Sequence, residues 1–245
     1  MSLAELNGCL RTGSKSLLFN ELIKNIECPP CLQIPRESTL ILDGMALIQT
    51  LGMNKLLKTF GDYGMWILDY IIKLGTDFER VDIVFDRYNN FSIKSSTREK
   101  RKKGPIVRKL VAFEVPLPQD WIGFLSLGDN KTDLSHFLSQ QIIKCVPDSK
   151  TFVVGGGFRE ETRVESNRSN LELHHLMAIQ EEADTRLILH CKYTSSKFVC
   201  TMARDTDILI LLLAHSTSMK NKLSLAMKSS KKLRFLFCMS MIYFA

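Results

Sequence analysis

A chain of 245 residues with 45% hydrophobic content can bury one sizeable core, which leaves little room for two full-size domains and makes one α/β unit the expectation. A formal charge of +7 and a pI near 9.0 favour a polyanionic partner such as nucleic acid, DNA or RNA, although a basic balance alone is also common among proteins that it merely keeps in solution. Seven cysteines, an odd number at irregular spacing, argue against a secreted disulfide framework and for free thiols in an intracellular setting, the nucleus included.

The first fifteen residues contain no apolar leader, and the apolar run at 233–244 is too short to span a bilayer, so no membrane partner is expected. Nothing in the sequence sets an oligomeric state. Residues 1–37 read as a lead-in segment, with a helix-like stretch that closes on Pro29, Pro30 and Pro35. Cys28 and Cys31 form a lone CxxC pair. A tetrahedral zinc site needs a second pair of ligands, and two thiols in a Pro-braced turn are the simpler expectation.

A regular alternation begins at residue 39. A short apolar run over 39–43 predicts a strand, helical spacing continues to about Leu74, and 81–86 predicts a second strand. A strongly basic stretch, 94–109, follows. An amphipathic helix is predicted over 133–144, a buried strand over 151–154 ending in a flexible Gly155-Gly156-Gly157 turn, a helix over 181–193, and a strand over 197–203 leading into 205–213. This alternation predicts an α/β fold in three layers, a mostly parallel central sheet with helices on both faces, spanning residues 38–215. Residues 216–245 carry no acid and read as a basic and apolar tail, a truncated or altered C-terminus.

The chemistry gathers at the ends of the predicted strands. Asp43, Asp86 and Asp205 each close an apolar run, and in an open parallel sheet the carboxyl ends of the strands share one rim. Two further pairs, Glu182 with Asp184 and Asp205 with Asp207, sit at predicted helix starts, where residues two apart can aim to one side. Convergent carboxylates repel one another unless a cation neutralises them, and hard oxygen donors suit Mg²⁺ or Mn²⁺. Taken singly, each acid is explained as a helix cap or a partner of the helix dipole. The ordered set of six favours a two-metal clamp on a phosphodiester. In the basic stretch, Lys94, Arg98, Arg101, Lys102, Lys103 and Arg108 supply contacts for a phosphate backbone, although a solvated loop or a nuclear-localisation patch would look the same.

Other signals are weaker. His174 and His175 are adjacent and read as a surface pair, while His190 and His215 fall at helix ends where imidazole meets the C-terminal dipole. Trp66 and Trp121 read as packing residues. Phosphotransfer of the haloacid-dehalogenase type would want a second Asp two residues after Asp43, where Met45 stands.

In order and spacing, LILDG, IVFDR, a basic region, EEADTR and ARDTDIL resemble the flap-endonuclease branch of the PIN-like nucleases, nearest to PIN-like proteins of animal genomes. The resemblance covers roughly residues 38–215 and is close only at these islands. It implies a PIN-like fold and Mg²⁺- or Mn²⁺-dependent hydrolysis of phosphodiester bonds in DNA or RNA. Asp43, Asp86, Glu182, Asp184, Asp205 and Asp207 would act as metal ligands or water-positioning bases, with Lys94 and Arg101 on the scissile phosphate. The second function in view is a catalytically impaired PIN-like module that binds nucleic acid or protein. It is favoured by the lack of any acid after Asp207 and of a helix-two-turn-helix module.

Overall fold

The computed structural model describes residues 17, 34–88, 108–203, 205–219, 222–229 and 232–238, the last two segments by their backbone and the Leu223 side chain. Chain order begins with strand β1 (Ser38–Asp43), helices α1 (Gly44–Leu51) and α2 (Phe60–Leu74), and strand β2 (Arg80–Val84). Helices α3 (Trp121–Ser126) and α4 (Gly128–Cys145) follow, then strands β3 (Thr151–Gly155) and β4 (Val164–Ser166). The remainder is α5 (Ala183–Tyr193), β5 (Phe198–Ala203), α6 (Asp207–His215), β6 (Lys222–Ser229) and β7 (Lys232–Cys238).

The strands form one sheet in the order β4-β3-β2-β1-β5-β6-β7. The inner pairings β3-β2, β2-β1, β1-β5 and β5-β6 are parallel, and the edge strands β4 and β7 run antiparallel to their neighbours. Residues 40–42, 83–84 and 152–154 read as apolar runs because both faces of the sheet are covered there. On one face Leu40, Leu42, Ile83 and Val154 join Tyr63, Ile67 and Ile71 of α2 and Leu134, Leu138 and Ile142 of α4 in one core. On the other, Ile41, Val84 and Val199 pack with Leu187 and Cys191 of α5 and Ile208 and Leu212 of α6. The fold is therefore the expected three-layer α/β arrangement, with a mostly parallel sheet between helical layers.

Four particulars differ from the sequence expectation. The helical segment predicted to run to Leu74 is broken: α1 stops at Gly52, whose φ of 65° suits glycine, and α2 restarts on a capping box between Thr59 and Asp62. The helix predicted from residue 133 begins at Gly128, one residue (Leu127) after the unanticipated α3. The turn at 155–157 is tight rather than flexible. Gly156 has a φ of 81°, and a Cβ there would run into the Phe85 carbonyl oxygen. Finally, the sheet continues past residue 215, because β6 pairs in parallel with β5 and β7 returns beside β6. Leu223, Leu225 and Met227 alternate with polar or small residues, and that period of two is a strand signal; Leu233, Phe235, Leu236 and Phe237 form a mostly apolar run beside it. Both tryptophans are packing residues: Trp121 stacks on Phe124 with centroids 5.3 Å apart, and Trp66 leans on Tyr63 at 5.7 Å. The lead-in residues 1–33, Leu17 apart, with Cys28 and Cys31 among them, lie outside the described residues.

Candidate functional site

Strands β2, β1 and β5 are neighbours and parallel, so their carboxyl ends lie side by side, roughly 4.8 Å from strand to strand. The chain steps from β1 outward to β2 and β3 on one side and later to β5 and β6 on the other, which makes the β1–β5 boundary a topological switch point. Crevices open at such points because the connecting chains leave in opposite directions. Asp43 and Asp205 stand on either side of this one.

Asp43 ends β1 and caps α1, its Oδ1 accepting from the Ala46 N–H at 2.9 Å. Asp86 lies two residues beyond β2; its Oδ1 accepts from the Ala183 N–H at 2.8 Å and its Oδ2 from the Tyr88 hydroxyl at 3.1 Å. Ala183 opens α5, whose own N-cap, Glu182, makes no side-chain cap bond. Asp86 thus caps that helix from across the sheet and brings Glu182 and Asp184 to the rim. Asp205 accepts from the Asp207 N–H at 3.2 Å, and Asp207 opens α6.

Burial, opposed by the Ala46 hydrogen bond and reinforced by repulsion from Asp86 and Asp184, pushes Asp43 up to about 7. Asp184 is pushed up to about 6 by burial and then by repulsion from Asp205, Asp86, Glu182 and Asp207. All six predicted carboxylates are therefore electrostatically linked, with Asp184 as the hub. Among the described residues, no three His, Cys, Asp or Glu side chains are gathered closely enough to hold a metal ion as they stand. The donor set itself fits a hard divalent cation: every donor is a carboxylate, and burial, with repulsion added to it, holds two of them back from ionising. Of the predicted phosphate contacts only Arg108 is described; Lys94, Arg98, Arg101, Lys102 and Lys103 lie outside the described residues. Arg108 pairs with Asp133 at 3.1 Å.

The sequence reading missed the charges that hold this rim in place. Asp82, in the middle of β2, is fully buried between Arg80, at 2.6 and 2.8 Å, and His190 Nδ1 at 2.7 Å. Although burial opposes it, the Arg80 guanidinium and then His190 hold the Asp82 carboxyl below its ordinary range. His190 is thus an interior partner of β2 as well as a residue of the last turn of α5. An acid in mid-strand with an arginine two residues before it was the available signal. Arg186 is almost fully buried and donates to the carbonyls of Gln180 and Ala178, both at 2.7 Å. Arg87 donates to the Glu160 carbonyl at 3.0 Å, while its own N–H donates to the Glu181 carbonyl at 2.7 Å. Two arginines therefore pin the segments around 158–161 and 178–182 beside the acids. His174 and His175 are an exposed pair, as expected, with His175 stacked on Tyr193 at 4.7 Å.

Among the described residues, no helix is long and apolar enough to cross a membrane. Comparison with protein families, curated proteins and solved structures found no match to this chain.

Proposed function

We propose that this chain is a Mg²⁺- or Mn²⁺-dependent nuclease of the PIN-like, flap-endonuclease-like kind, hydrolysing phosphodiester bonds in DNA or RNA. The observation that supports it most directly is the electrostatic coupling of six carboxylates, drawn from three parallel strand ends and two helix starts, around Asp184 at a topological switch point. Asp43, Asp86, Glu182, Asp184, Asp205 and Asp207 are the residues to hold the cations. Bound divalent ions would supply an activated water and stabilise the leaving oxygen. The chain's own contribution is positional. Asp86 fixes the start of α5 against β2, and Arg87 and Arg186 hold the loops beside it, so the acids stand prearranged along the rim.

A second reading, a nucleic-acid- or protein-binding module with an impaired centre, draws on a specific feature. Asp43, Asp86 and Asp205 each already accept a backbone hydrogen bond, so part of their capacity serves the fold.

Labelled single-stranded, duplex and 5′-flap DNA, and single-stranded RNA, incubated with the full chain in Mg²⁺ or Mn²⁺, decide between them. Cleavage that chelation stops, and that Asp86→Asn and Asp205→Asn each lower by about 100-fold or more, is the expected result. Binding without metal-dependent cleavage by the wild-type chain overturns the enzyme in favour of the module.

A further inference from the structure

Beside the acidic rim, on the side covered by α4, lies a cavity of about 450 Å³ whose lining includes Arg108, Arg159, His136, Gln140, Leu110 and Phe137. One lining residue is tied to the rim directly: Arg87, next in sequence to Asp86, donates to the Arg159 carbonyl at 3.4 Å. The volume falls in the usual span of small-ligand sites, roughly 300–1,000 Å³.

The lining has two characters. Leu110 is 72% exposed although apolar, and together with Phe137 it offers a hydrophobic surface. Arg159 is exposed and makes no ion pair among the described residues. Arg108 is 65% exposed in its pair with Asp133, a pairing of small worth that a stronger acceptor can displace. His136 and Gln140 of α4 add polar edges to the lining.

We propose that this cavity is a nucleotide subsite, taking the nucleotide next to the one at the acidic rim. Its phosphate meets Arg159 and Arg108, whose guanidinium forks match phosphate oxygens, and its base or sugar covers Leu110 and Phe137 within reach of Gln140 and His136. Asp133 beside Arg108 disfavours a bare phosphate ion, so the apolar contact is needed for binding. That the nucleotide belongs to a strand being cut rests on the nuclease reading; that a nucleotide binds here does not.

The test uses the full chain with metal chelated, so that binding is read apart from cleavage. A 5′-phosphorylated dithymidylate carrying a 3′ fluorophore is titrated by anisotropy, with inorganic phosphate and unlabelled dinucleotide as competitors. Binding should weaken about tenfold in Arg159→Ala and recover in part in Arg159→Lys, which keeps the charge but loses the fork. Equal binding by wild type and Arg159→Ala, or no binding at all, overturns the subsite, as does phosphate competing as well as the dinucleotide. Absence of metal-dependent cleavage by the wild-type chain, with this binding intact, would count against the nuclease and leave the subsite standing.

Discussion

At the scale of single residues, Asp43 makes the sharpest prediction. Its carboxyl is raised to about 7 in the fold from an ordinary 3.8, so between those values the folded chain holds a proton that the unfolded chain has released. Stability of the metal-free protein should therefore fall as pH rises from about 4 to about 7 and level off above that. Asp43→Asn keeps an acceptor for the Ala46 N–H and removes the titration. Its urea-unfolding curve in chelator should vary less with pH and lie above wild type at pH 8, by up to about 4 kcal/mol at roughly 1.36 kcal/mol per pKa unit. Added Mn²⁺ should restore stability to the wild type more than to the variant. Asp82 belongs to a different class: Asp82→Ala strands Arg80 in the interior and should cost about 3–5 kcal/mol in the same measurement. Asp43, Asp86 and Asp205 were legible in the sequence because each closes an apolar run. Asp82 was not, because a buried acid is tolerated only by partners such as Arg80 and His190, and His190 lies 108 positions away.

At the scale of elements, α5 is held to β2 at both ends, by Asp86 at its start and by His190 on Asp82 near its finish. The geometry fits, since seven helical residues advance roughly 10 Å and four strand residues roughly 13 Å. Asp86 consequently has separable roles. Asp86→Asn can still accept from Ala183 and should unfold within about 0.5 kcal/mol of wild type, whereas Asp86→Ala uncaps the helix and should cost about 1 kcal/mol more. Both variants should lose metal-dependent cleavage, which separates the cap from the chemistry. The turn after β3 is a second such element. Gly156→Ala places a Cβ against the Phe85 carbonyl at a φ of 81° and should cost about 2 kcal/mol or more, read as a fall in melting temperature. Three consecutive glycines signalled a special backbone in the sequence, but the backbone that approaches Gly156 is that of Phe85, far upstream just beyond β2.

For the whole molecule, the seven-stranded sheet makes β6 and β7 part of the structure that carries the rim, since β6 covers the flank of β5 and Leu223 joins the α5–α6 core. A chain ending at residue 219 would leave β5 as an open edge with unpaired N–H and C=O groups. Light scattering of that shortened chain should show aggregation under conditions where the full chain stays monodisperse. If it remains dispersed and equally stable to urea, β6 and β7 are dispensable to the sheet.

The layered α/β order and the acids at the strand ends are written in the chain, because local periodicity and the closing residue of a run are one-dimensional signals. Folding in three dimensions sets the rest: β1 lies between β2 and β5, Asp184 becomes the hub of the six carboxylates, and Asp86 caps a helix beginning 97 positions later. Strand order and cross-sheet capping depend on which distant surfaces bury one another. No local window records that choice.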